Sequence, residues 1–465
     1  MSAGRQQQPG PPPAGSPAAG TPAAGTPVAG GPAGTPVTAE LIAARATAVL
    51  EANWRKTHTV PAPGLYPHQW SWDSSFIALG LSRISPRRAG QEMDALFAGQ
   101  WEDGRIPQII FDPHRDQDYA PGASFWQSTS IPGAPDHVET AGLVQPPNHA
   151  WAVWKIHQAD PAESRRRRFL ERNYAKLVHW HSYLSGRRNR GGSGLACIVH
   201  PWESGTDNSP LWDTVMKRIP ADCRTPLKRP DLQHAEAGER PSQKEYGKYF
   251  WMAERYRDHD CDDTDPDYPF LMEDPLFNTL LAVSEQALAE IATELGLPVE
   301  AHLERARLIT AALEDLYVPE LGCYSARDAT DGSVVPKATI NGLIPLLLPG
   351  QVHAEALLET LNGPRFMDGR ALLVPSYDAT APDHNPALYW RGPAWFNMSW
   401  MVAEALERLG HKEQAAFLRS NIGQLAAEQD FPEYVDPWTG AAHGTRSFSW
   451  TAALALETTY YRSAP

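Results

Sequence analysis

From Thr38 onward, apolar residues recur at three- and four-residue spacing through most of the chain, as amphipathic helices require. The first run opens on Thr38-Ala39-Glu40-Leu41, which reads as an N-terminal cap, and extends to about Lys56. The same texture predicts helices over residues 73–84, 86–101, 147–159, 162–186, 274–296, 298–317, 352–362, 393–409, 411–428 and 447–461. Strand signals are short and scattered, such as Leu195-Ala196-Cys197-Ile198-Val199. Long loops rich in proline, glycine and aromatic residues join the helices. No sharp linker divides residues 38–465. A long succession of helices in one unit predicts an all-α fold: a closed toroid of two concentric helix layers, with long loops at its mouth.

Two stretches depart from this texture. Residues 1–37 are almost entirely Ala, Gly, Pro, Thr and Gln, which cannot bury enough apolar area to offset their ordering entropy. They read as a disordered tail. Residues 219–270 are charged and irregular, and read as a solvated insertion covering the mouth. The acidic run Asp260-Cys261-Asp262-Asp263-Thr264-Asp265-Pro266-Asp267 lacks the glycine of an EF-hand loop, so no metal site is expected from it.

Composition narrows the functional class. A net charge of -14 over 465 residues argues against nucleic acid, because phosphates favour a basic face. No run approaches the roughly 18 apolar residues of a membrane span. The first residues carry no apolar core of a signal peptide. Cys197, Cys223, Cys261 and Cys323 lie far apart without a C-x-x-C pair, and read as reduced thiols of a soluble, cytoplasmic protein. Helix-rich exteriors permit a homo-oligomer, but no interface announces itself. The 16 tryptophans, 15 tyrosines and 13 phenylalanines matter more, because many sit in loops, where aromatics line ligand sites.

Four such loops carry candidate chemistry. In Tyr66-Pro67-His68-Gln69-Trp70-Ser71-Trp72-Asp73, tryptophans flank a carboxylate. Asp73 and Ser74 can cap the following helix, but a cap does not require Tyr66, Trp70 and Trp72. A pyranose uses all of these: its CH face packs on a ring, and a carboxylate accepts its hydroxyls. In His200-Pro201-Trp202-Glu203-Ser204-Gly205-Thr206-Asp207-Asn208-Ser209-Pro210, Glu203 and Asp207 stand beside Trp202, and spacing does not rank them. In Tyr389-Trp390-Arg391-Gly392-Pro393-Ala394-Trp395, Pro393 fits a first helical position, and Arg391 suits either a structural ion pair or a carboxylate ligand. In Glu433-Tyr434-Val435-Asp436-Pro437-Trp438-Thr439-Gly440, Asp436 reads as a turn former, whereas Glu433 has no local structural duty. Paired acids beside aromatic walls are what a sugar-cleaving enzyme needs.

Together with Glu239-Arg-Pro-Ser and Glu273-Asp-Pro-Leu-Phe-Asn278, these blocks resemble glycoside hydrolase family 63. Its bacterial branch acting on mannosylglycerate and glucosylglycerate is the best match. The resemblance runs over nearly all of residues 38–465. It implies an (α/α)6 barrel and an inverting α-glycosidase, with Asp207 as general acid and Glu433 as general base. It further implies a sugar subsite of Tyr66, Trp70, Trp72, Asp73, Gln145, Trp202, Gly205, Trp390 and Trp395, with Arg240 and Tyr246 approaching the glycerate; Tyr389 is expected among the substrate-binding residues. On that assignment Glu203 supports the loop by hydrogen bonds. The substrate is then a small sugar glycoside, and the chemistry needs no cofactor. Alternatives are a family 63 α-glucosidase acting on an oligosaccharide or disaccharide, an epimerase of the same barrel using histidine bases, and a non-hydrolytic glycan-binding protein. For the epimerase, only His68 and His200 lie in the aromatic loops.

Overall fold

In the computed structural model, residues 1, 37–233 and 235–461 are described. The expected tail lies outside them, save Met1 and Val37. Helices dominate. Those that build the frame are α1 (Ala39–Asn53), α2 (Ser71–Ile84), α3 (Pro86–Ala98), α4 (His149–Ala159), α5 (Phe169–Arg187), α6 (Gln243–Asp258), α7 (Pro275–Leu295), α8 (Glu300–Leu313), α9 (Ala354–Asn362), α10 (Phe396–Arg408), α11 (Lys412–Glu428) and α12 (Ser449–Thr459). A 3₁₀ helix, Ile340–Leu347, joins them. Strands are two-residue pairs at the ends of loops, including Cys197–Ile198 within the expected strand.

Packing closes these elements into a ring. Around the inside, α2 packs on α4, α4 on α7, α7 on the 3₁₀ helix, the 3₁₀ helix on α10, α10 on α12, and α12 back on α2. Outside, α1, α3, α5, α8, α9 and α11 each pack on inner elements. This is the (α/α)6 barrel. The inner elements are apolar or small nearly all round, as a helix enclosed on every side must be. In α12, Ser449 to Glu457 are all buried, and in the 3₁₀ helix every residue is. Outer helices keep one wet face; α8 buries only His302, Ala306, Ile309 and Leu313. The α2–α12 contact is close enough to need glycine. A Cβ on Gly80 would stand 2.3 Å from the Ala453 Cα.

Three elements differ from the sequence expectation. Residues 219–270 contain α6, opened by a capping box in which Ser242 and Glu245 satisfy each other's backbone N–H groups. Its apolar face, Tyr249, Phe250, Met252, Ala253 and Tyr256, is buried. The predicted helix over 162–186 is two helices, because Arg168 adopts a left-handed conformation before α5. The 3₁₀ helix went unread: eight residues interrupted by Pro345 show no helical period. At the first turn, Thr38 does cap α1, its hydroxyl accepting from the Leu41 N–H.

Asp73 does not cap α2. Trp70 holds the N-cap position, paired in a short antiparallel ladder with Ile109, and the helix starts at Ser71. The acidic run serves structure. Asp263 is buried between Arg188 and Arg105, and no group of three or more metal-ligating side chains clusters among the described residues. Nor, among them, is any helix long and apolar enough to cross a membrane.

Candidate active site

The inner helices begin at one end of the ring, and that end carries the site. Trp72 and Asp73 sit in the first turn of α2, and Trp450 in the first turn of α12. Gln145 just precedes α4, and Trp390 and Trp395 just precede α10. Helix N-termini present free N–H groups. One of them is met from outside, because the Gln145 side chain accepts from the Trp72 N–H at 2.9 Å. The cavity so formed holds about 830 Å³ of atom-free space, including the part that opens to solvent. That suits a small glycoside.

Tyr66, Trp70, Trp72, Asp73, Gln145, Trp202, Gly205, Asp207, Tyr246, Tyr389, Trp390, Trp395 and Glu433 all line this cavity. Arg240 stands behind them, its side chain 2% exposed. The aromatic walls brace one another. Trp390 and Trp395 stack at 3.9 Å, Trp395 stacks on Tyr434 at 4.6 Å, and Tyr66 meets Trp70 edge-on at 5.3 Å. Gln108, Tyr119, Asp231, Phe448 and Trp450 also line it, and were missed. Trp450 could have been found, since Phe448-Ser449-Trp450 repeats the aromatic-flanked helix start of Trp70-Ser71-Trp72.

Asp207 is carried by a loop held from three sides. Glu203 lies fully buried beneath it, taking a bidentate bond from Arg188 (2.6 and 2.8 Å) and the N–H groups of Val144 and Val199. Asn341 of the 3₁₀ helix donates to the Thr206 hydroxyl at 3.1 Å. Asn208 accepts from the Trp390 N–H at 2.9 Å, tying this loop to the next. Gly205 turns the loop with φ of 72°, where a Cβ would press on Pro146 and the Trp72 ring. Asp207 faces the cavity. Burial pushes its carboxyl up to about 7, opposed by the Tyr389 hydroxyl, which donates to Oδ2 at 3.4 Å, and by Arg240. Asp73 is raised well above the usual carboxylate range, also chiefly by burial and then by the Glu433 charge.

Glu433 has the opposite surroundings. Arg240 donates Nη2 to Oε2 at 2.6 Å and Nη1 to Oε1 at 3.4 Å. The Tyr66 hydroxyl donates to Oε1 at 2.9 Å, and the Thr445 N–H to Oε2 at 3.2 Å. Two carboxyls thus share the cavity in unlike surroundings, one raised by burial and one bonded to a cation. Such a pair can protonate a leaving oxygen and activate a water. Tyr246 donates to Asp231 at 3.2 Å, beneath the Arg229 guanidinium.

The remaining residues have structural duties. Arg391 pairs with Asp213 and Asp383, and Asp436 accepts the N–H groups of Trp438 and Thr439 in its turn. His68 and His200 do not line the cavity. Burial lowers them to about 4 and about 3, so each is neutral.

Comparison with known proteins now decides the family. Residues 66–451 match the mannosylglycerate hydrolase MGH1-like glycoside hydrolase domain. The chain belongs to this glycoside hydrolase family. It is 40% identical to a mannosylglycerate hydrolase of Rubrobacter radiotolerans, over 91% of this chain and 97% of that protein. It is 35% identical to a glucosylglycerate hydrolase of Mycolicibacterium hassiacum, over 90% of this chain and 98% of that protein. Its structure superposes on a family 63 mannosylglycerate hydrolase of Thermus thermophilus, in complex with Tris and D-glycerate, with a TM-score of 0.83 at 36% identity. That superposition covers 90% of this chain and 99% of the other. Membership of this glycoside hydrolase family makes the protein an O-glycosyl hydrolase and accounts for the cavity's aromatic walls and paired carboxyls.

Proposed function

We propose that the protein hydrolyses a small α-glycoside of glycerate, glucosylglycerate or mannosylglycerate, to hexose and glycerate with inversion. The observation that carries this reading is the contrast between Asp207 and Glu433 within one cavity. Asp207, pushed up to about 7 by burial, keeps its proton on a large share of molecules at neutral pH and serves as general acid. Glu433, which accepts from Arg240, Tyr66 and the Thr445 N–H, serves as general base. The glycosidic C1–O bond breaks as the leaving oxygen takes the Asp207 proton. Water supplies oxygen to C1 from the other face and gives its proton to Glu433. Atoms and charge balance, because each carboxyl ends in the other's starting state and solvent resets both.

Trp72, Trp390 and Trp395 offer the apolar walls that a pyranose packs on, and Asp73 and Gln145 the polar atoms that its hydroxyls need. Relatives named for both the mannosyl and the glucosyl glycerates support the aglycone and leave both sugars in the proposal. Arg240 is the glycerate anchor, with Tyr246 beside it. Four free cysteines, three of them buried, support a reducing, cytoplasmic setting.

The test is turnover of synthetic glucosylglycerate and mannosylglycerate against maltose and trehalose. The glycerate glycosides should be preferred, and Asp207→Asn and Glu433→Gln should each lower kcat by about 10²–10⁴-fold. Full activity in either variant, or preference for a disaccharide, would overturn the reading.

A further inference from the structure

The Glu433 carboxylate has no acceptor site left. A carboxylate offers about four lone-pair sites. Here Tyr66, the Thr445 N–H and both terminal nitrogens of Arg240 occupy them, at 2.9, 3.2, 2.6 and 3.4 Å. A general base must accept from the attacking water, so one of these donors has to leave first. Tyr66 is itself held by Arg240, which donates to its hydroxyl at 3.0 Å, and the Thr445 N–H is fixed by the Glu433–Thr445 backbone pairing. Arg240 is the donor that another anion can capture.

Its surroundings favour such an exchange. The Arg240 guanidinium lies 4.7 Å from the Tyr389 ring, whose hydroxyl reaches Asp207, so it stands between the two working carboxyls. Among the described residues its Nε is buried without a hydrogen-bond partner, so the cation is incompletely satisfied where it rests. Asp73, Asp207, Asp231 and Glu433 all line the cavity. Arg229 is committed to Asp231 through a bidentate pair of 2.9 and 2.7 Å. An incoming carboxylate therefore finds its cation in Arg240, and can keep it there only by drawing it from Glu433.

We infer that Arg240 is a switch: it masks the base in the empty enzyme, and the substrate's own carboxylate draws it away and frees Glu433 to accept the water. This rests on the glycerate-glycoside reading above. The guanidinium remains paired throughout, first to the enzyme and then to the substrate. Release of glycerate returns Arg240 to Glu433. A glycoside without the carboxylate would bind its sugar and leave the base masked, so its loss would appear in kcat as well as KM.

The experiment first identifies the sugar by turnover of glucosylglycerate and mannosylglycerate, then uses the α-fluoride of that sugar. A glycosyl fluoride fills the sugar subsite and leaves the aglycone subsite open. Added D-glycerate should raise kcat for fluoride hydrolysis by about tenfold or more, within the roughly 10²–10⁴-fold that a general base contributes. Glycerol, equal in shape but uncharged, should not. In Arg240→Met, fluoride hydrolysis should be indifferent to glycerate, while KM for the glycerate glycoside rises. A merely structural Arg240 would slow every substrate alike. Absence of activation, equal activation by glycerol, or activation surviving in Arg240→Met would each overturn the switch. The parent's response stands without the variant, should the variant not fold. If glycerate glycosides are cleaved but glycerate does not activate, the switch fails and the substrate reading stands. If they are not cleaved, the substrate reading itself fails.

Discussion

Tyr389→Phe isolates the control of Asp207 acidity. The ring of Tyr389 packs 5.4 Å from Trp395, its carbonyl accepts from the Trp395 indole at 2.9 Å, and phenylalanine keeps both. Only the hydroxyl goes, and with it the 3.4 Å bond to Asp207 Oδ2. That bond favours the ionised carboxylate, so its loss favours the proton. Hydrogen bonds to charged groups are worth about 1.5–3 kcal/mol at good geometry, and a bond this long should give about 1 kcal/mol. At about 1.36 kcal/mol per tenfold change, this moves the Asp207 titration upward by roughly 0.7 of a pH unit. The acid is present below its titration near 7 and is lost as pH rises through it. The alkaline limb of kcat/KM should therefore move to between about 7.5 and about 8, with the rate on the acid side unchanged within about twofold. The assay is kcat/KM for the glycerate glycoside, in both proteins, from about pH 5 to about pH 9. A limb that stays in place, or moves down, would refute Asp207 as the acid read in that limb.

Three further outcomes are expected. Proton NMR of the first-released hexose should show the β-anomer, as inversion at an α-glycoside requires, and early α-anomer would exclude the two-carboxyl division above. Gly80→Ala should force α2 from α12, at a cost of at least about 1–3 kcal/mol, and lower Tm by roughly 1 °C per kcal/mol in a chain of this length. An unchanged melting curve would contradict the close packing. Glu203→Gln leaves part of the fully buried Arg188 charge uncompensated and should destabilise by about 3–5 kcal/mol in thermal or denaturant unfolding, with activity falling because the same loop carries Asp207. Full stability would mean that the pair is not what holds the loop.

The site was legible wherever a residue's role depends on its neighbours in sequence. The turn-forming Asp436 was readable within a few positions, whereas local spacing left Asp73 open between cap and ligand and did not rank Asp207 against Glu203. Arg391 was left open, and Asp213 and Asp383 settle it as a structural ion pair. Helix α6 was hidden by the charge of its wet face, although its capping box was in plain view at Ser242 and Glu245.

By itself the sequence determined the helical periodicity, the all-α class, the family resemblance and many, though not all, of the residues around the cavity. These depend on local repeats and short blocks, which are visible one-dimensionally. Only the tertiary structure decided how the ring closes, with a proline-bearing 3₁₀ helix as its fourth inner element. It alone decided that Asp207 is held near neutrality while Glu433 is saturated with donors. It alone set Arg240 on Glu433, 193 positions away along the chain. The physical reason is that acidity and pairing depend on desolvation and on distances of a few ångströms, and both arise only when distant segments share one buried volume.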